Sequence, residues 1–139
     1  MRPTLPAVQN VEIARRSYAA FARHDLDAVL ADLHEDVEWQ QAQGLPHGGT
    51  YRGRDEVRRF FAEEIHESAR TDFKIYTVLE QKNFALVFGR YTESEGGAPV
   101  EKGAFWIAET VDGQLFRWDG FDTVGDAFAE FKRRLSPSL

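Results

Sequence analysis

Two acids, Asp119 and Asp122, close an aromatic run that contains Phe116, Trp118 and Phe121. A carboxyl enclosed by rings loses hydration, the setting in which an acid is tuned to move a proton near neutral pH. Arg90 lies on a stretch where Phe84, Leu86 and Phe88 alternate on its own side. A guanidinium in apolar company needs an anionic partner, either a structural carboxylate or charge developing on a substrate. These three residues form the candidate catalytic set. Asp122 has a second reading, as a cap of the helix that begins near Thr123 and Val124. His47, in a Gly/Pro loop, adds a group that titrates near neutral pH. His24, His34 and His66 lack the paired spacing of a zinc site, and Ser17, Ser68 and Ser94 lack a nucleophile elbow. No metal and no cofactor are expected.

The elements that must position these groups centre on Val100 to Thr123. Asp112-Gly113 separates two runs of aromatic and β-branched residues and readily takes the positive φ angles of a two-residue hairpin turn. Alternation puts Ala104, Trp106 and Ala108 on one face and Phe105, Ile107 and Val111 on the other. Both faces are apolar, so both must be covered, by helices on one side and a second subunit on the other. Upstream, Val8, Val11, Ala14, Tyr18 and Phe21 recur at helical spacing, and Asp25 caps a shorter helix with the stripe Leu26, Val29, Leu30 and Leu33. Val37 to Gln41 alternates as a strand before a glycine-rich loop. Gly53 precedes a third helix with Val57, Phe60, Phe61 and Ile65 inward.

Two strands follow, turning near Lys82-Asn83, with Phe73, Ile75 and Leu79 on one side of the first and Tyr76 and Val78 on the other. The second of them runs from Phe84 to about Thr92, and Glu93 to Pro99 reads as a mobile loop. Val124, Ala127, Phe128, Phe131 and Leu135 mark a terminal helix. The pattern predicts α+β architecture, a cone-shaped roll of curved, mostly antiparallel sheet around N-terminal helices.

Composition narrows the partners. The 139 residues fit one domain, read as 8–135 behind a loose tail over 1–7. Six net negative charges argue against nucleic acid, and no run approaches the roughly 20 apolar residues of a membrane span. The absence of cysteine excludes disulfides and thiolate chemistry and suits the cytoplasm. Eleven Phe and three Trp exceed what a small core needs, leaving rings to line a pocket.

The chain resembles the nuclear transport factor 2-like superfamily in its polyketide cyclase-like (SnoaL-like) branch. The residues that carry the likeness are Tyr18-Ala19-Ala20-Phe21 with Asp25-Leu26-Asp27, Asp36-Val37-Glu38-Trp39, Gly49 to Val57 with Phe60-Phe61, and Asp112-Gly113 to Phe121-Asp122-Thr123. The resemblance spans nearly the whole chain and implies chemistry residue by residue. Against ketosteroid isomerases, the position of the base is Gln41, which cannot abstract a proton; the oxyanion-binding acid falls near Ala104 and the tyrosine near Ser17 or Tyr18. Against limonene-type epoxide hydrolases, Arg90 matches the arginine, Gln41 the water-holding amide and Asp119 or Asp122 the base, while Thr92 stands at the acid partner's position. Against polyketide cyclases, Phe121-Asp122-Thr123 resembles the aromatic-Asp-Thr ending, and Asp119-Gly120-Phe121-Asp122 its longer version.

The expectation is a cofactor-free acid/base enzyme of cyclase, isomerase or hydrolase type acting on an apolar small molecule. The alternative is a non-catalytic binding or dimerisation module of the same fold. The aromatic pocket is assigned to Tyr18, Trp39, Gln41, His47, Phe61, Phe88, Trp106 and Trp118. A homodimer is expected through the face that carries Phe105, Ile107 and Val111.

Overall fold

The computed structural model describes residues 12, 13, 15–17, 19, 20, 23, 25–42, 48–67 and 70–136. Helical residues between 12 and 20 turn Ile13, Ser17 and Ala20 into the core, at the spacing of one helix face. Helix α1 (Leu26–Ala31) starts where the Asp25 side chain accepts from the Ala28 N–H. Strand β1 (Leu33–Gln41) and the short β2 (Gly49–Arg52) lead into helix α2 (Gly53–Glu67), where the Glu56 carboxylate accepts from the Arg52 N–H. Strands β3 (Arg70–Gln81), β4 (Phe84–Glu95), β5 (Ala98–Val111) and β6 (Gln114–Phe121) follow, and helix α3 (Val124–Leu135) closes the described chain.

The six strands make one mixed sheet in the order β2-β1-β6-β5-β4-β3. All neighbours are antiparallel except β1 and β6, which run parallel with Trp39 opposite Trp118. The edges β2 and β3 do not meet, so the curved sheet stays open as a cone-like α+β roll. Asp112 and Gly113 both take positive φ, 53° and 76°, and give the β5–β6 hairpin its two-residue turn. Glu93 to Pro99, expected as a loop, is strand on both sides of a tight turn, because Gly96 and Gly97 let β4 and β5 pair as far as Glu95 and Ala98. Strand β2 was also unforeseen. It lies in the glycine-rich stretch, supported by pairing with β1 instead of by its own pattern.

Register assigns the faces. The inner face carries Val37, Trp39, Ala85, Val87, Ala108 and Trp118 against α1, α2 and the first helical segment. The outer face carries Leu86 and Ile107 under Ala127 and Phe131 of α3, with Phe84, Phe88, Phe105 and Phe121 around them. Ile107 is thus sealed by the chain's own terminal helix, where a second subunit had been expected. The predicted alternation in β3 fails too: Ile75 and Val78 pack together inward while Tyr76 and Leu79 are exposed, since a register shift between Ile75 and Thr77 inverts the phase. Among the described residues no helix is long and apolar enough to cross a membrane.

Candidate functional site

Trp39 reaches the inner face because β1 alternates, and the parallel register lays it on Trp118 with ring centroids 4.7 Å apart and planes 5° apart. Trp106 stands 5.3 Å from Trp118 on one side, and Phe61 of α2 meets Trp39 edge-on at 4.7 Å on the other. Each such ring pair contributes about 0.5–1.5 kcal/mol beyond its buried area. Gly120 allows a close approach of β1 at this wall: a Cβ there would lie 3.1 Å from the Ala42 nitrogen and 3.6 Å from the Trp106 ring. Gln41, two residues beyond Trp39 on the same face, is 5% exposed. The indole nitrogens of Trp39 and Trp118 and Nε2 of Gln41 are buried without an acceptor among the described residues, as is the Ser17 hydroxyl.

Five of the residues assigned from sequence therefore gather on the inner side: Trp39, Gln41, Phe61, Trp106 and Trp118. Phe88 does not; it faces outward and meets Phe105 edge-on at 6.3 Å. Tyr18 and His47 lie outside the described residues. Asp119 immediately follows inward-facing Trp118 and so points the opposite way. It is 2% exposed, and its Oδ2 accepts from Arg134 of α3 at 2.6 Å and lies 3.1 Å from Arg117. Burial by itself would lower the pKa of Arg134, but hydrogen bonds to Asp119 and Glu130 outweigh it and hold the group above its ordinary value. Asp119 is the centre of an ion network that runs from Arg52 and Glu38 through Arg117 to Arg134, Glu130 and Arg133.

Arg90 also points outward, opposite Gly103, paired with Glu101 and stacked 5.4 Å over the Tyr76 ring. Its side chain is 54% exposed, so the buried guanidinium expected from its apolar neighbours is a surface group in an open groove of about 480 Å³ that Phe88 and Phe105 help to line. It lies four residues along β4 from Leu86, the level of Asp119, or roughly 13 Å up the sheet. The expected catalytic pair is not assembled. Asp122 is exposed in the bend before α3, and the cap is its neighbour: the Thr123 hydroxyl accepts from the Asp126 N–H.

The inner-face carboxylates were missed. Unbroken β4–β5 pairing puts Glu93 and Lys102 on the same side as Trp106, and they form an ion pair of 2.8 Å. Glu80 stands opposite inward-facing Ala85. Counting back by twos from Trp106 through Ala104 to Lys102 would have located the first pair. Among the described residues no three His, Asp or Glu side chains gather as a metal-ligand set.

A family model described as SnoaL-like domain matches residues 14–118. The chain belongs to the SnoaL-like domain family. Similar solved structures include TerC, co-crystallised with polyporic acid, at 26% identity and TM-score 0.72, covering 88% of this chain and 96% of that one. An NTF2-like protein from Burkholderia thailandensis E264 is 26% identical with TM-score 0.71, covering 89% and 97%. An LEH-like epoxide hydrolase from M. tuberculosis shares the fold at 18% identity and TM-score 0.68, covering 93% of each chain. No match was found among curated proteins.

Proposed function

We propose that this SnoaL-like domain binds an apolar organic molecule against the inner aromatic face of its sheet. The observation that carries the reading is the Trp39–Trp118 stack with its buried indole N–H groups lacking an acceptor among the described residues. Such groups destabilise a closed core by about 1–3 kcal/mol each, and a bound molecule that faces them relieves the penalty. TerC, of the same fold, takes an organic compound. No cofactor enters this reading. Nile red tests it: emission excited through the tryptophans should rise saturably to one dye per chain and fall sharply in Trp39→Ala. A linear, unsaturable rise would overturn the assignment.

A second reading, cofactor-free acid/base catalysis on the bound molecule, is favoured by the half-buried Glu93 beside Lys102 on that face. It transfers the proton-moving role from Asp119 to Glu93. Incubation with a panel of epoxides and aromatic ketones, followed by mass spectrometry, should reveal a product that Glu93→Gln fails to make. The homodimer belongs to the same proposal, now resting on the outer-face groove that Tyr76, Phe88 and Phe105 line. Light scattering should give twice the 15.9 kDa chain mass.

A further inference from the structure

We propose that the inner-face site selects a neutral carbonyl compound, with the Trp39 and Trp118 indoles and the Gln41 amide donating to its oxygen atoms. The inference rests on the small-molecule reading above and adds the chemical class. An indole nitrogen can only donate, so two of the three groups have no way to satisfy one another. The two rings are stacked 4.7 Å apart and nearly parallel, close enough for one small fused-ring molecule to meet both. Gln41 extends the same row by two residues along β1, and its Nε2 also lacks an acceptor among the described residues. Trp39, Gln41 and Trp118 are all at least nine-tenths buried, so bulk water does not serve these donors.

Charge decides between a ketone and a carboxylate. An anion carried into this interior needs a cation to offset its lost hydration. Arg117 and Arg134, on and above β6, are on the opposite side of the sheet holding Asp119, and Lys102 on the inner face is paired with Glu93. Three neutral N–H donors, with no free guanidinium beside them among the described residues, suit a polarised but uncharged C=O. A hydrocarbon of the same shape would fill the aromatic wall and leave the donors unmet.

The test compares 1-tetralone, its hydrocarbon counterpart tetralin, and 1-naphthoate, by ¹H–¹⁵N spectra that resolve the indole N–H signals. The expected result is that 1-tetralone binds roughly tenfold more tightly than tetralin, the gain of one well-made buried hydrogen bond. It should also move the Trp39 and Trp118 indole protons downfield, while tetralin leaves them near their starting shifts. Trp39→Phe and Trp118→Phe keep a ring and remove a donor, so they should reduce the ketone preference, read within each variant as the ratio of 1-tetralone to tetralin affinity. Equal binding of ketone and hydrocarbon with unmoved indole protons would overturn the carbonyl inference and leave the binding site standing. Tighter binding of 1-naphthoate would overturn the neutral class. Failure of all three to shift any inner-face signal would remove the site itself.

Discussion

Asp119→Asn separates a structural acid from a catalytic one. Asp119 Oδ2 receives Arg134 at 2.6 Å and Arg117 at 3.1 Å, with the carboxylate 2% and the Arg134 side chain 10% exposed. Asparagine fits the same space and its carbonyl can still accept both donors, but the negative charge between two guanidiniums is gone. Breaking a buried ion pair costs about 3–5 kcal/mol, and retention of a neutral acceptor puts this change near the lower figure. At about 3–5 °C per kcal/mol for a domain of this size, the melting temperature should fall by roughly 10–15 °C. Total stabilities of about 5–15 kcal/mol leave the variant folded at room temperature. Urea denaturation of wild type, Asp119→Asn, Arg134→Met and the double variant supplies the measurement, with strong coupling expected between the two sites. A loss below about 1 kcal/mol, or single-variant losses that simply add, would refute the network as the role of Asp119.

Two further outcomes follow from the same face assignments. Gly120→Ala should destabilise by about 1–3 kcal/mol and alter the near-ultraviolet circular dichroism of Trp106, because the new methyl meets the Ala42 nitrogen and Gln40 oxygen of the β1 backbone, which cannot rotate away; an unchanged melting curve would count against the close strand packing. Glu130 is drawn down to about 2 by its hydrogen bond with Arg133, opposed by burial and reinforced by Arg134. A depressed carboxylate stabilises above its unfolded value of 4.5 and loses that contribution as pH falls toward 2. The stability gap between wild type and Glu130→Gln should therefore be full at pH 7 and close across that window, whereas a pH-independent gap would contradict it.

Local signals in the sequence located what local physics determines. The Asp112-Gly113 turn, the Asp25 cap, the α3 stripe through Ala127 and Phe131, and the inward face of Trp106 all depend on neighbours within a few residues. The parallel pairing of Trp39 with Trp118 joins positions far apart in the chain and leaves no local trace. Nor does the partner of Asp119, which arrives on α3 fifteen residues later. Arg90 misled because Phe84, Leu86 and Phe88 all belong to the outer-face cluster with Ala127 and Phe131 of α3, while Arg90, next along that face, stands outside the cluster in the open groove.

The phase of β6 links the acid to the donors. Strand side chains alternate, so of Trp118 and Asp119 only one can face inward, and a slip of one residue would exchange them. An inward Asp119 would have brought a carboxylate to the level of Trp39 and Gln41, where it could accept from the indole and amide N–H groups and would itself be the buried acid of an acid/base site. It would also have removed the carboxylate that Arg134 and Arg117 share and left Arg134 to Glu130 alone, the costlier defect, since a buried charge short of its partner outweighs an unmet neutral donor. The observed register neutralises the arginines on the outer face and leaves neutral donors inside. Unmet donors at Trp39, Gln41 and Trp118 and a structural role for Asp119 are thus two consequences of one strand register.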